Sequence, residues 1–172
     1  YDIQQALAAG VEVIQYRNKT NETRALYEEA KLLKEICREA IFIINDRLDI
    51  ALAVEADGVH LGQKDLPFTV ARRILGPRKI IGVSVHNVEQ AIEAEKAGAD
   101  YLGVGPIFVT TTKPDAEEPT GIELIKKIKN VTKIPLVAIG GINLANASTV
   151  IKAGADMVCA ISAVLTLSLI HI

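Results

Sequence analysis

The chain has 172 residues, 49% of them hydrophobic and 23% charged, with a formal net charge of -2. That length and composition suit one globular domain with a sizeable core and exclude a disordered or fibrous chain. The near-neutral charge, the 4% aromatic content and the absence of tryptophan offer nucleic acid neither a basic surface nor stacking platforms, and the uncharged stretch 164–172 is too short to span a bilayer.

The chain opens on an amphipathic pattern over residues 3–9, which predicts a helix, and a buried strand follows at 11–15. Leu26, Ala30, Leu33, Cys37 and Ala40 step by four and three along one helix face. Apolar runs at 41–44 and 58–61 predict the next two strands. Pro67 suits the first turn of a helix ending at Gly76, and 79–83 is the fourth strand. Asn87 with Gln90 reads as a capping box, and Gly98 as the stop of that helix. Strands are predicted at 101–104 and 135–139. Asn143 opens a helix that stops near Gly154, and 157–161 is the seventh strand. Both cysteines, Cys37 and Cys159, lie in apolar runs and read as buried free thiols of a cytoplasmic protein. No Cys/His cluster has zinc-ligand spacing, and no basic-then-apolar leader opens the chain.

One junction recurs. Residues 54–59, 96–102 and 152–158 repeat an Ala/Gly-Asp step into an apolar run, with a weaker copy at Ala9-Gly10-Val11. These read as the bottoms of repeated βα units, where Gly relieves strain at a helix end; they carry architecture rather than chemistry. Alternating strands and helices predict a parallel sheet with right-handed crossovers. The continuous apolar character of the strands predicts a sheet covered on both faces. The fold class is α/β, a TIM-type (β/α)8 barrel over 1–163. With seven candidate strands, the expectation is that the first strand is missing and the last helix is absent or replaced by the apolar tail 164–172. A doubly wound open sheet is the alternative, but it would carry a Gly-rich turn where this chain has Arg17-Asn18-Lys19.

Polar groups gather at the C-terminal ends of all seven strands. Alternation along the first strand sends Gln15, Arg17 and Lys19 to one side, where two cations and an amide suit a diphosphate. The second strand ends in Asn45 and Asp46, and the third leads to Asp65. Each aspartate reads alternatively as a helix N-cap; together, beside diphosphate-binding groups, they suit Mg²⁺. The fourth strand ends in Ser84, near His86 and Asn87. His60 and His86 read as structural. The fifth leads through Gly105-Pro106 to Thr110, Thr111, Thr112 and Lys113, several hydroxyl donors and a point charge fit for a phosphate. The sixth ends in Gly140-Gly141, the seventh in Ile161-Ser162, and backbone N–H groups of such loops hold phosphates in barrels. Taken jointly, the rim implies a diphosphate with Mg²⁺ and a separate monophosphate.

Seven segments in order, Val13 to Lys19, Asn45-Asp46-Arg47, Asp57 to Asp65, Gly82-Val83-Ser84, Gly105 to Lys113, Ala138 to Ile142 and Ile161-Ser162-Ala163, resemble the thiamine phosphate synthase family. The resemblance implies a (β/α)8 barrel that joins hydroxymethylpyrimidine diphosphate to a thiazole phosphate with release of diphosphate. It implies that Gln15, Arg17, Lys19, Asn45, Ser84 and Lys113 hold the pyrimidine diphosphate. Asp46 and Asp65 would hold Mg²⁺, and Thr110, Thr112, Gly141, Ile161 and Ser162 the thiazole phosphate. Arg17, Lys19 and Lys113 would stabilise the departing diphosphate, and the thiazole nitrogen would capture the pyrimidine cation. The family's usual Arg-Glu-Lys is Arg17-Asn18-Lys19, with Asn18 alternating away from the site, and the Pro usual before the Thr run is Val109. The partners implied are these small molecules, with no nucleic acid and no membrane; self-association is compatible with the sequence. The alternatives are the related thiazole tautomerase, which has a catalytic His where this chain has Pro106, and a non-catalytic phosphate-metabolite-binding barrel. A further barrel isomerase or aldolase would need a general base or Schiff-base Lys, for which Lys113 is the candidate.

Overall fold

Every apolar run predicted as a strand becomes one in a computed structural model of the chain, which describes residues 2–19, 22–110, 112 and 118–164. The strands are β1 (Val13–Tyr16), β2 (Ile41–Asn45), β3 (Gly58–Leu61), β4 (Ile80–Val85), β5 (Tyr101–Val104), β6 (Leu136–Ile139) and β7 (Met157–Cys159). They form one seven-stranded sheet in sequence order, each pairing parallel with the next. The helices are α1 (Asp2–Ala8), α2 (Thr23–Ile36), α3 (Leu48–Ala53), α4 (Phe68–Leu75), α5 (Val88–Ala97), α6 (Ile122–Lys129) and α7 (Ala147–Lys152). The architecture is a curled sheet of the (β/α)8-barrel type, with β1 and β7 at the ends of the strand order. No helix of the described residues is long and apolar enough to cross a membrane.

Alternate residues of each strand go to opposite faces. Ile14, Tyr16, Phe42 and Ile44 face outward and pack with Leu26, Ala30 and Leu33 of α2. Val104 and Ala138 do the same against Leu124, Ile125 and Ile128 of α6. Withdrawing one such aliphatic side chain from water contributes about 1.5–3 kcal/mol, so this outer layer is the main core. The inner face is less uniformly covered than the apolar runs predict. Ile41 and Met157 remain 39% and 38% exposed, because seven strands leave the interior open between β1 and β7.

The recurring junction has a stabilising role beyond its glycine. Asp57, Asp100 and Asp156 stand immediately before β3, β5 and β7. Asp57 Oδ2 accepts the Phe42 N–H at 2.8 Å and a bond from Lys34 Nζ at 2.8 Å. Asp100 Oδ2 accepts the Ile81 N–H at 2.7 Å and a bond from Arg72 at 2.5 Å. Asp156 Oδ2 accepts the Leu136 N–H at 2.8 Å and a bond from Lys129 Nζ at 2.7 Å. Each aspartate N–H donates back to the carbonyl of that same strand residue. One carboxylate therefore ties the start of the preceding strand to the helix before it, and the clip repeats every second βα unit.

Helix ends follow the local signals with one exception. Asn87 Oδ1 accepts the Gln90 N–H at 2.8 Å, and Gln90 Oε1 accepts the His86 N–H at 2.7 Å, a reciprocal box displaced by one residue. Gly98 ends α5 in the left-handed region at φ 92°. Asn143 does not open a helix. Its side chain accepts the Ala145 N–H in a local turn, a bond that competes with helix formation, and α7 begins four residues later.

Asp100→Ala should lower stability by about 1–3 kcal/mol, the cost of leaving a buried N–H unpaired, or about 2–4 °C in thermal midpoint per kcal/mol in a chain of this size. Asp100→Asn, which keeps an acceptor, should lose less. Burial pushes Asp57 and Asp156 up, but the lysine and backbone bonds hold both below the usual aspartate range. Their contribution is therefore present above the unfolded value near 3.8 and is lost as the pH falls through the lowered folded values. Calorimetry of the Asp100 variants checks the first expectation and calorimetry of the parent chain across pH the second; equal loss in the Ala and Asn forms would refute the clip.

Candidate active site

Parallel strands bring all their C-terminal ends to one rim, and a cleft of about 230 Å³ lies there. Arg17, Lys19, Asn45, Asp46, Asp65 and Ser84 line it from the ends of β1 to β4. Thr110, Thr112, Gly141, Ile161 and Ser162 line it from the loops after β5, β6 and β7. Gln15 sits one step deeper and lines the adjoining apolar interior together with His60 and Ser84. Lys113 and Thr111 lie outside the described residues. Asn18 turns away from the cleft, its amide donating to Glu29 on α2 at 3.1 Å.

Neither aspartate at the rim is a helix cap. The N-cap of α3 is Arg47 and that of α4 is Pro67, and neither helix has a side-chain cap bond. Asp46 holds φ 62°, a left-handed conformation that costs a non-glycine residue about 1–3 kcal/mol. Its N–H bonds the His60 carbonyl at 2.9 Å, which locks the turn and aims its carboxylate at the cleft. There it is 19% exposed and receives the ammonium of Lys19. Asp65 Oδ2 accepts the Gly62 N–H at 2.7 Å, and the two carboxyl groups are hydrogen-bonded to each other.

The pair is electrostatically unequal. Burial pushes Asp46 up, but the bond from Asp65, the Lys19 ammonium and the Arg17 charge together hold it below the usual carboxylate range. Burial, followed by the bond with and the charge of Asp46, pushes Asp65 above that range. Asp46 is thus the anion and Asp65 the group that keeps a proton longest. Two facing carboxylates repel each other unless positive charge sits beside or between them. Their oxygens are the donors a hard divalent cation takes, two protein carboxylates leaving other positions to water or a ligand's phosphates. Among the described residues no group of three or more His, Cys, Asp or Glu could hold a metal, so the softer, all-protein sites are not offered.

The far wall is made by two loops tied to each other. The Ile107 N–H donates to the Ile139 carbonyl at 2.9 Å, and the Phe108 N–H to the Gly140 carbonyl at 3.0 Å. The Thr120 N–H and hydroxyl both return to the Pro106 carbonyl. Gly140 and Gly141 hold φ 101° and 63°. A Cβ at Gly140 would lie 2.6 Å from Pro106, and one at Gly141 2.5 Å from the Val109 carbonyl. The glycines are needed for that close approach, and the approach brings Thr110 and Thr112 beside Gly141 on one wall.

Two contacts of this region were not foreseen by sequence reasoning. Gln63 donates to the Ser84 carbonyl at 2.6 Å, pinning the end of β4. His60, read as structural, stands against the Ser84 hydroxyl. Its position on the same face as Gly82 and Ser84 in the period-two pattern was the available signal.

The thiamine monophosphate synthase family model matches residues 2–164. The thiamine-phosphate synthase of Chloroflexus aurantiacus is 53% identical over 164 residues, covering 94% of this chain and 76% of that protein. That of Moorella thermoacetica is 56% identical over 162 residues, covering 93% of this chain and 77% of that protein. A solved thiamine phosphate pyrophosphorylase from Pyrococcus furiosus superposes with a TM-score of 0.86 at 49% identity, covering 94% of this chain and 78% of that one.

Asp65 has its folded value raised, so its protonated form contributes stability below the unfolded value near 3.8, and that contribution is lost as the pH rises through the folded value. Asp65→Asn keeps the bond to Asp46 without the second charge. In metal-free buffer at pH 7 it should unfold about 2–4 °C above the parent, the shift for roughly 1 kcal/mol. The gain should vanish below pH 4. A variant less stable than the parent at pH 7 would show that the pair is not strained by like charge.

Proposed function

The chain belongs to the thiamine monophosphate synthase family and is a thiamine-phosphate synthase, a transferase of thiamine biosynthesis; from that premise we propose how its own rim residues divide the work. Arg17, Lys19, Asn45 and Ser84, with Gln15 beneath them, take the pyrimidine diphosphate. Thr110, Thr112, Gly141, Ile161 and Ser162 take the thiazole phosphate, and Lys113 is assigned to the diphosphate. The observation that carries this division is the polarity of the cleft. The Lys and Arg cations of its described lining, Arg17, Lys19 and Lys64, lie on the β1 to β3 side, whereas the opposite wall offers hydroxyls and glycine backbone.

Asp46 and Asp65 would hold Mg²⁺, which supplies neutralisation of the diphosphate's charge when bound. The chain's own groups do the rest. Arg17 and Lys19 are donors aimed where negative charge grows on the leaving oxygens, and such preorganised donors act most strongly in a cleft with little water. Lys19 is held by Asp46 before substrate arrives, so its charge is already oriented. The thiazole phosphate, held by the second wall, brings the thiazole nitrogen near the pyrimidine carbon without a bimolecular search. No side-chain nucleophile is required. Pro106 on the rim and the carboxylate pair count for the synthase reading over the tautomerase one.

In an assay with both substrates and Mg²⁺, Arg17→Ala and Lys19→Ala should each lower kcat about 10²-fold, with the KM for the thiazole phosphate little changed. Lys113→Ala should likewise slow the chemical step more than it weakens thiazole phosphate binding. Asp46→Ala should raise the Mg²⁺ concentration that gives half-maximal rate. A Lys19→Ala form with normal kcat and a raised thiazole phosphate KM would reverse the division of the cleft.

A further inference from the structure

The inner face of the sheet carries a polar chain of which the division above uses only Ser84. Tyr101 of β5, His60 of β3 and Ser84 of β4 face inward on three consecutive strands. Tyr101 Oη lies 2.9 Å from His60 Nδ1, and His60 Nε2 lies 2.8 Å from Ser84 Oγ. The two rings stand 5.4 Å apart, centroid to centroid. His60 is 8% exposed. Space for the rings is created by glycine on the neighbouring strands. A Cβ at Gly82 would lie 2.1 Å from the Tyr101 ring, and one at Gly103 2.8 Å from His60 Cε1. Two inward positions are thus given up to hold this pair in place.

The direction of the bonds follows from elementary chemistry. Burial, with the nearby Cys159 second, pushes the Tyr101 hydroxyl well above its ordinary value, so it keeps its proton. The better acceptor beside it is the unprotonated nitrogen of an imidazole. With Nδ1 as that acceptor, a neutral ring carries its proton on Nε2. Nε2–H then donates to Ser84 Oγ, which occupies a lone pair of that oxygen. The hydroxyl proton of Ser84 is left for the cleft that Ser84 lines. The Gln63 bond to the Ser84 carbonyl fixes the backbone from the other side.

We propose that Tyr101 and His60 are positioning residues that make the Ser84 hydroxyl a hydrogen-bond donor to an acceptor atom of the pyrimidine diphosphate. This rests on the assignment of Ser84 to that substrate. Neither residue touches the ligand in this role; the pair sets the polarity of a contact one residue away. In the Nε2–H tautomer the Ser84 proton is available to a ligand acceptor, whereas in the other it would be spent on Nε2.

Long-range proton–nitrogen NMR of the ¹⁵N-histidine-labelled chain without substrate should find His60 protonated at Nε2, and Tyr101→Phe should abolish the preference for that tautomer. In kinetics, His60→Leu and Tyr101→Phe should each raise the KM for the pyrimidine diphosphate about ten-fold, the effect of one lost directed bond, and leave the KM for the thiazole phosphate unchanged. His60→Gln, whose amide can reach Ser84, should recover most of the loss. In a Ser84→Ala background the His60 and Tyr101 substitutions should have no further effect on that KM. Protonation at Nδ1 in the parent chain overturns the proposal without any variant having to fold. Effects that simply add to that of Ser84→Ala overturn it as well. An unchanged pyrimidine diphosphate KM in Ser84→Ala removes the assignment of Ser84 and the proposal with it. A raised KM there that His60→Leu does not reproduce removes the relay alone.

Discussion

Register at the bottom of the sheet governs everything at its top. A parallel strand slipped by one residue turns its whole inward set outward, and each rim group here is read off a strand end. The aspartates before β3, β5 and β7 oppose that slip by gripping a named N–H of the preceding strand and a cation of the preceding helix. Because each clip spans a strand, its helix and its neighbour, the unit it stabilises is a pair of βα steps. The cleft is assembled from groups on the first four strand ends and groups on the last three, so its dimensions inherit the accuracy of those grips.

At the rim the design runs the other way, against stability. Asp46 is held in a strained conformation, and its carboxyl shares a small space with Asp65. The surrounding fold over-determines both: the His60 carbonyl holds one turn and the Gly62 N–H anchors the other carboxyl. Strain and like charge concentrated at one point of a well-clipped scaffold is the pattern expected where a site is preorganised for a ligand that arrives later. The opposite wall shows the same economy in backbone rather than charge, with Gly140 and Gly141 in conformations other residues rarely take.

Most of the fold was legible because parallel strands buried under helices leave short apolar runs with Gly or Asp at their starts, and the alternation with helical periodicity admits few topologies. All seven strands lie where those runs do, within two residues at either end. The polar rim was legible for the same reason, since strand ends project to one side whatever the exact crossings. What was not legible depended on partners distant in sequence. For Asp46 and Asp65 the sequence left a helix cap open beside the metal reading, because the local pattern of a cap is the same; the caps that form at Arg47 and Pro67, and the meeting of the two carboxyls, separate the two. Asn143 looked like a helix start because its side chain bonds forward either way, into a turn or a helix. The partners of His60 were hidden because nothing local tells that Ser84 and Tyr101, on two other strands, meet its two nitrogens.

The glycines beneath those rings have a bearing on how this chain can change. Gly82 is a void shaped to the phenol of Tyr101, and Gly103 a void shaped to the imidazole of His60. A larger residue at 82 is admissible only together with a smaller one at 101, and the same bargain links 103 to 60. Substitution at these sites proceeds in pairs or not at all, which makes four positions on three strands behave as two heritable characters.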